Sequence, residues 1–132
     1  GVYQVMYVIH VVSAILLLFY VAFPFLAGGT GKRSMAAGLH TANRIGQYVL
    51  VFAFLSGVYM VRLAGYSVPW QIVAVLLVLA MFAVTGMMGR PLKRLRDGDA
   101  DAAAMRKVRV FGSVAAVCYI LLVVIMYYPD LL

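Results

Sequence analysis

The chain has 132 residues, 66% of them hydrophobic and 11% charged, with eleven Lys and Arg against four Asp and Glu for a net charge of +7. Soluble domains are typically about 25% charged and about half apolar; this chain has too little polar surface to rest in water, and lipid is the expected solvent. The length suits a single domain of about four membrane-crossing helices at ~20 residues each.

The first apolar run, residues 3–27, is longer than a signal-peptide core and no basic segment precedes it, so it reads as a retained span. Pro24 is expected to kink or stop it, because proline has no N–H for the helix ladder. His10 lies within the run, with Tyr3, Met6 and Ser13 on its face at helical spacing. A lone histidine there suits an interhelical hydrogen bond or, alternatively, ligation of a haem iron. GGTGKRS (28–34) is the first loop. It differs from a phosphate-binding loop at both ends: Leu26 stands at the first glycine position and Arg33 at the Ser/Thr position. Its glycines are read as a tight interhelical turn.

The second helix is expected over 35–63, and it carries the densest polar stretch of any span. His40, Asn43, Arg44 and Gln47 fall within about 100° of one another on a helical wheel and form one stripe. Ala42, Gly46, Ala53 and Gly57 form a second stripe of small residues, roughly 130° away. Small residues four apart let a neighbouring backbone approach closely, which predicts that this helix is central in the bundle. The polar stripe admits two readings. It is a solvated helix entrance with interhelical hydrogen bonds, or it holds an anionic or redox-active ligand. An arginine beside a histidine suits a carboxylate, a phosphate, a quinone or a haem propionate.

AGYSVPW (64–70) is a short turn, with Pro69 at or just before the start of a third helix over 70–88. The one extended polar segment is 90–109. A fourth helix, 101–128, is expected to start inside it with Asp99 or Asp101 as N-cap, and to end before Pro129. DGDAD (97–101) does not fit a calcium loop: the glycine is misplaced and Val108 stands where the closing glutamate belongs. The one cysteine, Cys118, lies in an apolar run and reads as a small core or lipid-facing residue.

The fold expected from this order is all-α: a four-helix transmembrane bundle, up-down-up-down, in one integral membrane domain over 1–132. Lys32 and Arg33 lie in the first connection, and Arg90, Lys93, Arg94, Arg96, Arg106, Lys107 and Arg109 in the third. The positive-inside rule then puts those two connections in the cytoplasm and both termini outside, in a bacterial plasma membrane. Tyr3, Tyr7, Tyr59, Tyr66, Trp70, Tyr127 and Tyr128 gather at the outer boundary as an interfacial belt. The basic face is read as contact with anionic lipid headgroups or a cytosolic partner. No recognition-helix or aromatic-interleaved pattern accompanies the basic residues, so nucleic acid is not an expected partner.

Two stretches carry a family resemblance. IHVVSAILLLFY (9–20) and LHTANRIGQYVLVFAFLSGVYMVR (39–62) resemble the YisL-type family of small four-helix bacterial membrane proteins, over roughly residues 3–95. The shared features are an early histidine in helix 1, a basic turn, a histidine with arginine at i+4, and a Ser-Gly pair late in helix 2. Here these are His10, His40, Arg44, Ser56 and Gly57. More distantly the chain is similar to SirB-like, CopD-like and HemJ membrane proteins. The tryptophan and arginine that follow in helix 1 of the HemJ pattern are missing here. The resemblance implies the four-helix fold and brings no activity with it.

Three functions are carried forward. The first is a small binding, accessory or regulatory subunit that forms a homo-oligomer or joins a larger membrane complex. The second is a b-type haem- or quinone-binding redox protein using His10 or the His40–Arg44 stripe. His10 and His40 differ in expected depth by very roughly 15 Å, too far to clamp one iron, so Met60 and Met126 are the alternative partners of His10. The third is a small transporter or channel, which the apolar middles of helices 3 and 4 disfavour. No Asp or Glu lies inside an expected span, so neither a carboxylate proton relay nor a midplane carboxylate site is expected. No catalytic residue is assigned.

Overall fold

The computed structural model describes residues 1–99 and 101–132, and these are all-helical, without strands. Among the described residues four helices are long and apolar enough to cross a membrane: α1 (Val2–Gly31), α2 (Arg33–Ala64), α3 (Val68–Arg96) and α4 (Ala102–Tyr127). A short 3-10 turn, Pro129–Leu131, follows α4. Neighbours run antiparallel. His10 meets Ala53 while Tyr20 meets Asn43; Ala14 meets Tyr119 while Phe23 meets Gly112. Both chain ends therefore lie at one end of the bundle, and every Lys and Arg except Arg62 lies toward the other half.

Local chemistry sets the helix ends. Gly65 closes α2 with φ +71°, a left-handed conformation that glycine adopts without steric cost. The Ser67 hydroxyl caps α3 by accepting from the Trp70 N–H at 3.2 Å, with Pro69 in the first turn, where its missing N–H costs nothing. Asp101 caps α4 by accepting from the Ala103 N–H at 2.9 Å. Of the two aspartates expected as caps, the structure selects this one.

Two boundaries and one packing assignment differ from the sequence reading. Pro24 does not stop α1. The helix tightens to 3-10 geometry over Leu17–Ala22, where the Phe23 N–H bonds the Tyr20 carbonyl, and runs on to Gly31. Winding more tightly just ahead of the proline accommodates the Tyr20 carbonyl that a regular α-helix would drive against its ring. Second, α3 does not end with its apolar run but continues through Pro91 to Arg96. Its last turns are amphipathic: Pro91, Leu92 and Leu95 are buried while Lys93 and Arg94 are exposed. Much of the extended polar segment is thus helical, and Asp97, Gly98, Asp99 and Asp101 are its described residues outside α3 and α4. Third, α2 is not the central helix; α4 is the most buried of the four. Its buried stripe contains Ala104, Gly112, Ala115, Ala116 and Cys118. A β-carbon at Gly112 would come within 3.2 Å of the Phe23 β-carbon, so α1 and α4 approach closely there.

The core runs the full length of the bundle. Leu17, Leu50, Met81 and Ala115 fill its middle, and Phe23, Ala27, Ala36, Leu92 and Val108 extend it into the basic end. At the opposite end, buried Trp70 stacks on Tyr66 at 4.2 Å and donates its indole N–H to the Ile125 carbonyl at 2.7 Å. Trp70 is therefore a core strut between α3 and α4 rather than part of an exposed belt, whereas Tyr3, Tyr7, Tyr127 and Tyr128 are exposed. Trp70→Phe keeps most of the packing and removes this bond. Its expected cost is about 0.5–1.5 kcal/mol, read as a lowered midpoint for unfolding in mixed detergent micelles.

Candidate functional site

The polar stripe of α2 splits three ways. Asn43 turns inward. It is 2% exposed, and its amide donates to the Thr85 carbonyl of α3 at 2.9 Å. Its oxygen Oδ1 accepts from the Tyr20 hydroxyl of α1 at 2.9 Å, and the same hydroxyl lies 3.2 Å from the Asn43 carbonyl. The Thr85 hydroxyl in turn donates to Met81 at 2.7 Å. One side chain thus joins three helices. Gly46 makes room for the Tyr20 ring, since a β-carbon there would lie 2.8 Å from two of the ring's atoms. Tyr20 and Thr85, both fully buried, complete this node and were not singled out from sequence. The available signal was their polarity within apolar spans.

His10 sits in a second polar contact, on the other half of the α1–α2 seam. Its Nδ1 lies 3.0 Å from the Ala53 carbonyl and 3.4 Å from the Ser56 hydroxyl. The ring packs over Gly57, where a β-carbon would come within 3.1 Å of its Cε1. Ser56 itself donates to the Phe52 carbonyl at 2.6 Å. A carbonyl oxygen only accepts, so Nδ1 carries the proton; in the neutral ring Nε2 then keeps its lone pair. The α2 backbone fixes the orientation of this imidazole. Gly46, Ala53 and Gly57 all belong to the face of α2 that meets α1, and Ala42 is half-buried on that helix.

His40 lies elsewhere. Thirteen residues of α2 separate it from Ala53, about 20 Å of helix, so the two histidines do not share a site. The His40 ring stands 3.5 Å from the Arg96 guanidinium of α3. Arg44 and Gln47 border an open groove of about 250 Å³ between α2 and α3, together with Tyr48, Val51 and Phe82. Arg33 crosses to the end of α3 and donates to the Arg96 carbonyl at 3.4 Å. The acidic residues between α3 and α4 neutralise only part of this surface: Asp99 and Asp101 hold Arg94 at 3.2 and 3.4 Å, and Asp97 holds Arg96 at 3.3 Å. Arg109 lies on the other side of the bundle, over Gly28. Among the described residues no group of three or more His, Cys, Asp or Glu side chains is placed to hold a metal ion.

These contacts separate joints from surfaces. The Asn43 node and the His10 contact lock α1, α2 and α3 together. The α2–α3 groove is open and carries charge at its basic end. Comparison of the chain with family models, with curated proteins and with solved structures found no match.

Proposed function

We propose that the chain is a small multi-pass protein of a bacterial plasma membrane that acts as a binding or accessory subunit, with both ends outside and its basic end in the cytoplasm. The orientation rests on the Lys and Arg distribution. The subunit reading rests on one observation: among the described residues, every fully buried side-chain nitrogen and oxygen has a hydrogen-bond partner within the chain. Those groups bond a neighbouring helix, as Asn43 and Tyr20 do, or a carbonyl of their own helix, as Thr30, Ser56 and Thr85 do, and the surface is left to do the recognising. That surface has large apolar faces along all four helices and a cationic end. A homo-oligomer or a larger membrane complex is the state this reading expects.

The test is the mass of the particle released from its native membrane by a mild detergent. A mass that is a multiple of the chain's 14.4 kDa, or that includes another chain, supports the reading. Monomer with lipid alone, in detergent and in native nanodiscs, contradicts it.

One observation favours a second reading, a haem- or quinone-binding redox protein. The His10 ring is held through Nδ1 by a backbone carbonyl, which leaves Nε2 as a free acceptor; metal-ligating histidines are commonly oriented by such a bond. Protein purified from its native membrane would then show a Soret band, lost in His10→Ala and kept in His40→Ala. A spectrum without visible absorbance rules out the haem form. The transporter reading has less support, because apolar side chains fill the middle of the core.

A further inference from the structure

Counting along the helices places Arg44, Arg90 and Lys107 near one level. From Ala64, about 20 residues of α2, roughly 30 Å, lead to Arg44. The same count from Val68 along α3 ends just before Arg90, and from Tyr127 back along α4 it ends at Lys107. A hydrocarbon layer is about that thick, so its basic-side boundary falls at Arg44.

The groove between α2 and α3 opens at this level. Arg44 is exposed at its upper edge. Among the described residues no carboxylate lies within ion-pair distance of Arg44 or Lys93, whereas Arg94 is held by two. The Arg96 guanidinium of α3 stands 3.5 Å from the His40 ring, one helical turn along α2 from Arg44; exposed Lys93 shares the face of α3 that carries Phe82, three turns nearer the basic end. Toward the hydrocarbon the lining changes to Val51 and Phe82, with Gln47 reaching across to Gly86. Cations at the boundary with an apolar cleft beneath match an amphiphile that has an anionic head. A soluble anion would leave the cleft unfilled.

We propose that the α2–α3 groove binds an anionic phospholipid, its phosphate against Arg44 and Lys93 and an acyl chain along Val51 and Phe82. Arg44 is the central contact because a guanidinium matches phosphate with paired N–H donors. The inference requires the chain to cross a membrane and does not require a protein partner, so the two readings fail separately.

The test is native mass spectrometry of detergent-purified protein titrated with phosphatidylglycerol, with phosphatidylcholine, or with phosphatidylglycerol in the presence of inorganic phosphate. Phosphatidylglycerol is expected to bind about tenfold more tightly than phosphatidylcholine. Arg44→Gln should weaken that binding about fivefold and Lys93→Gln about twofold. Arg106→Gln, an exposed arginine on α4, should leave it unchanged. Arg44 is itself exposed, so its replacement leaves the folded bundle available for the measurement. Equal affinity for the two lipids overturns the proposal. So does an equal loss in Arg106→Gln, which would mean diffuse attraction to the whole basic end. Displacement of the lipid by millimolar inorganic phosphate would assign the cations to a soluble anion and overturn it as well.

Discussion

Asn43→Asp destabilises the bundle by about 3–5 kcal/mol, the largest effect expected of any near-isosteric substitution in the chain. The change keeps the shape of the side chain and replaces the amide donor, now 2.9 Å from the Thr85 carbonyl, with an oxygen. An ionised carboxylate would then face a carbonyl inside a site that is 2% exposed, with the Tyr20 hydroxyl as its one donor from another side chain. Asn43→Leu removes the same bonds without introducing charge. Its expected cost is about 1–2 kcal/mol, in the range of interhelical hydrogen bonds within membranes. Unfolding midpoints in mixed detergent micelles at neutral pH give the order directly: wild type, then leucine, then aspartate. Equal midpoints for the two variants would mean that water reaches the node and that it does not lock three helices.

The second large effect is a contrast of sign. Gly46→Ala and Gly38→Ala add the same methyl group to the same helix. At Gly46 the new carbon would overlap the Tyr20 ring, which is fully buried and stacked on Phe19 at 4.4 Å and on Phe23 at 5.1 Å. The ring has no free space to move into, so overpacking costs about 1–3 kcal/mol and strains the Tyr20–Asn43 bond. At Gly38 nothing lies within 4 Å of the added carbon. The gain in helix propensity, up to about 1 kcal/mol, then goes uncancelled and the bundle becomes more stable. Thermal unfolding in one detergent reads both. Loss of stability at both positions would contradict the assigned packing.

Composition and hydrophobic run length are enough to read four helices and their order, because lipid requires backbone groups to bond within a segment. Helix ends were less legible. A fall in hydropathy marks where hydrocarbon ends, not where the helix does, and α3 carries on past it because Leu92 and Leu95 still have a core to enter. Hydropathy also could not rank the helices by burial. The small residues Ala104, Gly112, Ala115 and Ala116 of α4 were as visible as those of α2, yet only tertiary packing, such as that of Phe23 against Gly112, makes the α4 stripe the more buried. At the candidate site, the stripe geometry located His40, Asn43, Arg44 and Gln47 on one helix but not their separate tasks. An angular spread of about 100° is wide enough to put Asn43 in the core and Arg44 outside it. The partners that separate them, Tyr20, Thr85 and Arg96, lie on other helices and are set by tertiary packing.

The reading of this chain as a membrane subunit depends most on which side its basic end faces, and cysteine accessibility measures that. In a Cys118→Ala background, single cysteines replace Asp130 near one chain end and Asp99 in the basic turn, and intact cells are treated with a membrane-impermeant maleimide. The account predicts labelling at position 130 in intact cells and at position 99 only after the inner membrane is opened. Labelling at position 99 in intact cells, with position 130 protected, would contradict it.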